Sequence, residues 1–277
     1  MIPFIFAIVL LLHGLIHLAG LRNEPNKANW KGFMPATGTG EGLWLTAAVL
    51  FMVSALLLIN KISGWWVIGT VALMVSQIMI FRFWKEARWG TLLNIAVMAA
   101  LVIGYGKWHF NRNVNHDLKE FKINYDENSK ISKEDIAQLP PVVQKWLNAV
   151  NLPGKIKTQS VYLEQKGRMR TSEDAKWMRF SARQYVRLEQ PAFLWTADVS
   201  ANPWLQLAGR DHYQDGKGEM LVKALSLLTL AHGQGPATDQ GAMIRYLAEI
   251  CWYPAAALRH YIKWQQTSDS TAKATMT

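Results

Sequence analysis

His13 and His17 stand four residues apart in IPFIFAIVLLLHGLIHLAG, a stretch (Ile2–Gly20) without a formal charge. At that spacing two imidazoles share one helix face and could ligate a single metal or serve a redox centre. A metal wants further donors, and no other apolar stretch offers His, Cys, Asp or Glu within its core. Interhelical hydrogen bonding, worth ~0.6 kcal/mol per contact in a membrane, is the competing and stronger expectation. A second group is basic. Arg168 and Arg170, then Arg179, Arg183 and Arg187, alternate along two strand-like runs. On one sheet face they could meet anionic headgroups or an acidic ligand, at ~1 kcal/mol for each cation near a charged membrane. The other face carries Met178, Phe180, Val186 and Leu188, followed by Phe193 and Trp195. It could be plain core or could enclose an apolar ligand. The candidate ligand-binding set is therefore the five arginines with Phe180 and Trp195, and the candidate metal pair is His13 and His17.

Catalytic groups are harder to assemble. Asp211 and His212 are neighbours on an expected strand, so they point to opposite faces. Arg245 and Glu249, four apart on an expected helix, would form an ordinary surface pair. His232 and His260 have no acid at a telling distance, and Gly233-x-Gly235 reads as a turn. No nucleophile elbow, Walker loop, dinucleotide-binding glycine pattern or zinc-binding helix motif is present. No catalytic residue and no cofactor are expected; a hydrolase would need a cleft joining Asp211, His212 and Glu249. The single cysteine, Cys251, excludes an intrachain disulfide and is expected to be packed.

The elements that would position these groups divide the chain in two. Of 30 basic and 20 acidic residues, 23 and 17 lie from Lys107 onward. Before that point four uncharged stretches, Ile2–Gly20, Gly42–Asn60, Ile62–Phe81 and Trp89–Gly106, each approach the ~20 residues of a membrane-spanning helix. Trp44, Trp65, Trp66, Trp84, Trp89 and Trp108 fall near their ends, where an amphipathic indole prefers the membrane–water interface. Arg22, Lys27 and Lys31 follow the first stretch, Arg82, Lys85 and Arg88 the third, and only Lys61 the second. The positive-inside rule then places both chain ends outside the cytoplasm. In that orientation His13, His17, Thr46, Ser76, Gln77 and Asn94 gather in one polar layer on the cytoplasmic side. The net charge of +10 comes with no basic run or nucleic-acid-binding signature, so nucleic acid is not expected as a partner.

Residues 108–131 lack apolar periodicity and read as a linker. Ser132-Lys-Glu-Asp135 is a helix start, and Pro141 opens a second helix over Val142–Val150. Period-two alternation then marks strands at Ser160–Arg170, Trp177–Leu188, Phe193–Val199, Leu205–Tyr213 and Glu219–Leu228. A helix over Asp239–Trp252 follows, a short one after Pro254, and a closing hairpin of Tyr261–Gln266 with Thr271–Thr277. The last strand has no terminator, which suggests a chain truncated at its C-terminus.

The run Leu139-Pro-Pro-Val-Val-Gln-Lys-Trp-Leu, with Gln165-Lys-Gly-Arg-Met-Arg170, Phe193-Leu-Trp195, Asp211-His-Tyr-Gln-Asp-Gly-Lys-Gly218 and Arg245-Tyr-Leu-Ala-Glu-Ile-Cys-Trp-Tyr-Pro254, resembles an uncharacterised bacterial family of membrane-anchored proteins over residues 138 to 277. In layout it is also loosely similar to lipoprotein carriers, with their curved sheet and helical plug, a likeness that speaks to fold rather than activity.

The expected fold class is thus a four-helix transmembrane bundle (1–107), a linker (108–131) and an α+β domain with a curved antiparallel sheet and packing helices (132–277). The expected protein is a multi-pass inner-membrane protein, not an enzyme, whose extracytoplasmic domain binds a membrane lipid, an apolar ligand or a membrane protein partner. The alternative is a membrane redox or metal-binding protein built on His13 and His17.

Overall fold

The computed structural model describes residues 2–20, 39–121 and 129–276. The chain forms two compact units, Met1–Phe110 and Asn111–Thr277.

The first unit is helical: α1 (Ile2–Gly20), α2 (Thr39–Ile59), α3 (Trp65–Arg82), the single turn α4 (Trp84–Ala87) and α5 (Gly90–Leu118). Its burial is inverted relative to a water-soluble bundle. Phe4, Leu12, Met74, Ile78, Phe81 and Ile95 are all more than half exposed, while His13, His17, Ser54, Ser76 and Asn94 are buried. Three helices, over Gly42–Ile59, Trp65–Arg82 and Gly90–Leu118, are long and apolar enough to cross a membrane. The apolar helix Pro3–Leu18 is shorter, so length and composition support three spans rather than the expected four. Small residues let α1 and α2 approach closely. A Cβ on Gly14 would sit 3.1 Å from the Ala48 carbonyl oxygen, and Ala47, Ala48 and Ala55 are completely buried. The basic loop holding Arg22, Lys27 and Lys31 lies outside the described residues.

The expected linker begins as helix, since α5 continues to Leu118. Phe110, Val114 and Leu118 recur every four residues, one helix face that the interspersed asparagines conceal.

In the second unit Ser132 caps α6 (Lys133–Ala137). Its hydroxyl accepts from the Asp135 N–H at 3.1 Å, and Asp135 returns the contact to the Ser132 N–H at 2.8 Å. Pro141 opens α7 (Pro141–Ala149), where a missing N–H costs nothing. Six strands follow as an antiparallel meander: β1 (Ser160–Met169), β2 (Met178–Arg187), β3 (Ala192–Ser200), β4 (Gln206–Gln214), β5 (Lys217–Ala224) and β6 (Leu228–Gly233). The sequence merges β5 and β6 into one strand. In fact Leu225 and Ser226 turn the chain at φ 52° and 60°, a left-handed pair usually reserved for asparagine and glycine. Each non-glycine residue there costs about 1–2 kcal/mol.

Helix α8 (Pro236–Ala248) then crosses the sheet, followed by short 3-10 turns at Glu249–Cys251 and Pro254–Leu258. It lies hard against β5 at Gly218, where a Cβ would come 2.6 Å from the Thr238 carbonyl oxygen and 2.9 Å from Ala242. A two-stranded sheet, β7 (Ile262–Gln266) with β8 (Ala272–Met276), closes the unit. The main core joins Val186, Phe193 and Tyr213 of the sheet to Leu147, Tyr246 and Ile262. The buried Tyr246 and Tyr261 hydroxyls lie 2.8 Å apart and within 3.1 and 2.9 Å of the carbonyls of Arg187 and Leu188, so one hydroxyl donates to the other and the second donates to its carbonyl. Those contacts tie α8 and β7 to the β2–β3 corner.

Candidate functional site

In the helical unit the polar residues form one connected cluster. The His13 carbonyl can only accept, so His17 Nδ1, 2.9 Å away, carries the proton. Neutral His17 then accepts at Nε2 from the Ser76 hydroxyl at 2.9 Å. His13 Nε2 donates to Asn94 Oδ1 at 2.7 Å, and Asn94 Nδ2 donates to Gln77 Oε1 at 2.9 Å. Phe51 packs edge-on against His13 at 4.7 Å, and Trp44 lies 5.2 Å from His17. The expected layer of His13, His17, Ser76, Gln77 and Asn94 is brought together. Thr46 is not part of it: exposed, it donates to the Gly42 carbonyl of its own helix. Three of the four ring nitrogens are engaged, and His13 Nδ1 is buried without a partner among the described residues. A metal or redox group at the histidine pair would have to use that atom. No cluster of three His, Cys, Asp or Glu that could hold an ion exists among the described residues.

In the second unit the strand register sorts the candidates by face. Gln184, Trp195, Asp211 and Met220 stand side by side across β2 to β5. Helix α8 brings Arg245 to this row. Its Nη1 donates to Asp211 Oδ2 at 2.5 Å and its Nε to Glu249 Oε1 at 2.8 Å. The guanidinium also rests against Phe193 and Trp195, 4.8 and 5.1 Å from their ring centres. Glu249 Oε2 accepts from fully buried Gln184 at 2.5 Å, and the Trp195 indole donates to Gln165 at 2.9 Å. Burial raises the Asp211 carboxyl above the usual range even though Arg245 pulls it down. The network joins Asp211 and Glu249 through an arginine, and no Ser, Thr or Cys side chain belongs to it among the described residues. His212 points to the other face, where it meets Phe121 at 6.1 Å. On that face Arg210 bridges Asp117 and Glu219, at 2.7 and 2.8 Å.

Beyond the Arg245 row the same face changes character. Ala182, Ala197 and Gly209 are adjacent across β2, β3 and β4, and Phe180, Val199, Leu207, Ala224 and Leu228 run across the next row. Ala182, Ala197 and Val199 form a separate apolar cluster with Met169, Met178, Phe180, Trp195 and Leu207. Strand residues alone make it up, and Met169, Met178, Phe180 and Leu207 stay half-exposed. The result is a shallow apolar trough with a floor of small side chains. Trp195 and the Arg245 network close one side.

The expected arginines take different positions. Arg168 and Arg179 pair across β1 and β2. With Lys166, Gly167, Phe180 and Ser181 they line an open depression of about 410 Å³. Lys166, Arg168 and Arg179 have no ion pair among the described residues. Arg183 stands opposite Glu164. Arg170 lies past the end of β1, where it donates to the Glu173 carbonyl and stacks on Trp177 at 5.0 Å. Arg187 is occupied by the Glu120 carbonyl at 3.2 Å and by the Phe121 ring. Cys251, expected to be packed, is exposed.

Two signals in the sequence could have revealed the Arg245 network. Gln184 interrupts the apolar face of β2 between Ala182 and Val186, and Asp211 does the same on β4 between Gly209 and Tyr213.

Residues 129–277 match a family described as Family of unknown function (DUF6544). No curated protein and no solved structure matches the chain.

Proposed function

Since the chain belongs to the DUF6544 family, which carries no activity to borrow, we propose from its own side chains that it is an integral membrane protein whose second unit binds a lipid-like ligand. The observation that carries the reading is the trough: an apolar half-face of sheet that no helix residue joins among the described residues. On the opposite face of the same strands Lys166, Arg168 and Arg179 line a depression with no acid in its lining. An acyl chain matches the trough, with apolar contact along Phe180, Val199 and Leu207, and an acidic head would meet the arginine pair by passing around the free edge of β1. Ligand pockets are mostly apolar with a few placed polar groups, and Trp195 with the Arg245 network supplies a fixed end wall here.

A diazirine-bearing fatty acid, photolysed with the full chain in detergent, is expected to mark strand peptides containing Met178, Phe180, Val199 and Leu207. Ala197→Trp fills the floor and should abolish that labelling. Adducts confined to the helices, or untouched by Ala197→Trp, would defeat the reading.

The apolar exterior of the helical unit supports membrane insertion, because exposed patches of that extent are foreign to a soluble monomer. We include α1 as a fourth span: its outer face is apolar, and its two buried histidines bond to α3 and α5. The balance of Arg and Lys between loops then puts the second unit outside the cytoplasm, with the inner membrane as its location. The lone, exposed Cys251 is a built-in reporter. In intact cells a membrane-impermeant maleimide should label it, whereas labelling only after lysis would reverse the orientation.

A further inference from the structure

Because each strand of the meander pairs with the next, three turns lie together at one end of the sheet: residues 170–177, 201–205 and 225–227. Each presents a large apolar side chain to solvent at or beside its tip. Trp177 is 59% exposed, Trp204 67% and Leu228 68%. These are not loose ends. Trp177 is stacked under the Arg170 guanidinium. The Asn202 side chain accepts from the N–H groups of both Trp204 and Leu205 at 2.9 Å, which fixes the turn that displays the indole. The third turn holds Leu225 at a φ of 52°, a strained choice where asparagine or glycine would be free of strain. Neither indole N–H has a partner among the described residues.

The opposite end of the sheet gives the contrast. Its turns carry Glu189, Gln190, Asp215 and Gly216, with no exposed aromatic or aliphatic side chain. Charge is also uneven. Residues 166–181 hold five basic side chains (Lys166, Arg168, Arg170, Lys176 and Arg179) against Glu173 and Asp174, while the other two turns are uncharged.

From this juxtaposition we infer that the Trp177–Trp204–Leu228 end of the sheet is a docking surface for an anionic lipid bilayer. An indole is apolar with one polar N–H, so it settles at headgroup depth with that N–H toward phosphate or water. Leu228 reaches the acyl boundary, and the excess cations on the β1–β2 side draw the surface to acidic headgroups. The trough opens toward this same end, so docking sets its open side against the source of an amphiphilic ligand. The inference does not require that ligand: the tips would dock with the trough filled.

The test uses the full chain in a Cys251→Ser background, reconstituted in nanodiscs of phosphatidylglycerol or of phosphatidylcholine. A fluorophore is placed on Pro203→Cys, beside Trp204, or on Asp215→Cys at the opposite end as reference. In anionic discs the label at 203 should be quenched by nitroxide-bearing lipid and shielded from aqueous iodide. The label at 215 should show the reverse. Trp177→Ser with Trp204→Ser and Leu228→Ser should make position 203 behave like position 215. Lys176→Gln should lower the docking equilibrium constant about fivefold at low salt, as expected for one cation near a charged surface. Ala197→Trp should leave docking intact, which separates this result from failure of the trough. Equal iodide access at 203 and 215 in anionic discs overturns the inference. So does equal docking on phosphatidylcholine, or shielding that appears only as protein concentration rises, which would signal a second copy of the chain.

Discussion

Replacing Arg245 with methionine is expected to cost about 3–5 kcal/mol, because it strands two part-buried carboxylates that share one cation. Asp211 and Glu249 each lose their ion pair, and Phe193 and Trp195 lose the guanidinium packed on their rings. Thermal unfolding of the detergent-solubilised full chain, followed by protease resistance of the sheet, measures the loss. The pH dependence has a definite sign. Asp211 already titrates above the ordinary carboxylate value, and Arg245 is what holds it down. Without Arg245 its folded pKa rises further above the unfolded one. The protonated form then stabilises the fold fully below the unfolded pKa, and that stability is lost as pH rises through the folded pKa. The deficit of Arg245→Met should therefore be greatest near neutrality and narrow on acidification. Adding Asp211→Asn and Glu249→Gln removes the stranded charge and should restore most of the loss. A variant that melts with the parent at neutral pH would show the network to be incidental.

In the helical unit Asn94→Leu should be the most damaging single change of the polar cluster, at about 2 kcal/mol. It removes the acceptor of His13, a second acceptor for Ser76 at 3.1 Å, and the donor to Gln77. In water each stranded buried group would cost about 1–3 kcal/mol. Between membrane helices the average contact is worth ~0.6 kcal/mol, since the unfolded chain also finds partners there. Three such contacts give the lower figure, and that reference state applies to this unit. Unfolding in mixed micelles with rising dodecyl sulfate would read it. Thr46→Val is the control, expected to be silent because Thr46 bonds only its own helix. Equal destabilisation by both changes would mean the cluster has no special role.

Much of this architecture is visible in local patterns. Period-two alternation finds five of the six strands of the meander, because one face is buried and the other is wet. The Ser132–Asp135 cap and Pro141 mark their helices through backbone requirements that any context shares. The pattern fails where tertiary contacts replace the usual local signal. Leu225-Ser226 makes a left-handed turn without asparagine or glycine, so β6 is absorbed into β5. The helix past Trp108 survives amid asparagines because Phe110, Val114 and Leu118 share a face. The polar layer of the helices is legible because each span carries few polar residues, although Thr46 faces outward and bonds its own helix. The Arg245 network is hidden for a different reason. Asp211, Glu249 and Gln184 are distant in sequence, and only the way α8 seats on Gly218 brings them together. The clue was present in Gln184 itself, a polar residue at an apolar beat.

The strict neighbour-to-neighbour order of β1 to β6 bears on how the unit comes to be folded. Every strand pairs with the segment synthesised just before it, so each pairing closes a short loop at small entropic cost. The sheet can zip from β1 onward without waiting for the end of the chain. The longer loops are closed by the apolar core and by polar contacts such as Asp117 with Arg210, 93 residues apart, and Gln184 with Glu249, 65 apart. Those bonds need the strand register already set, so they are expected to lock the sheet rather than to start it.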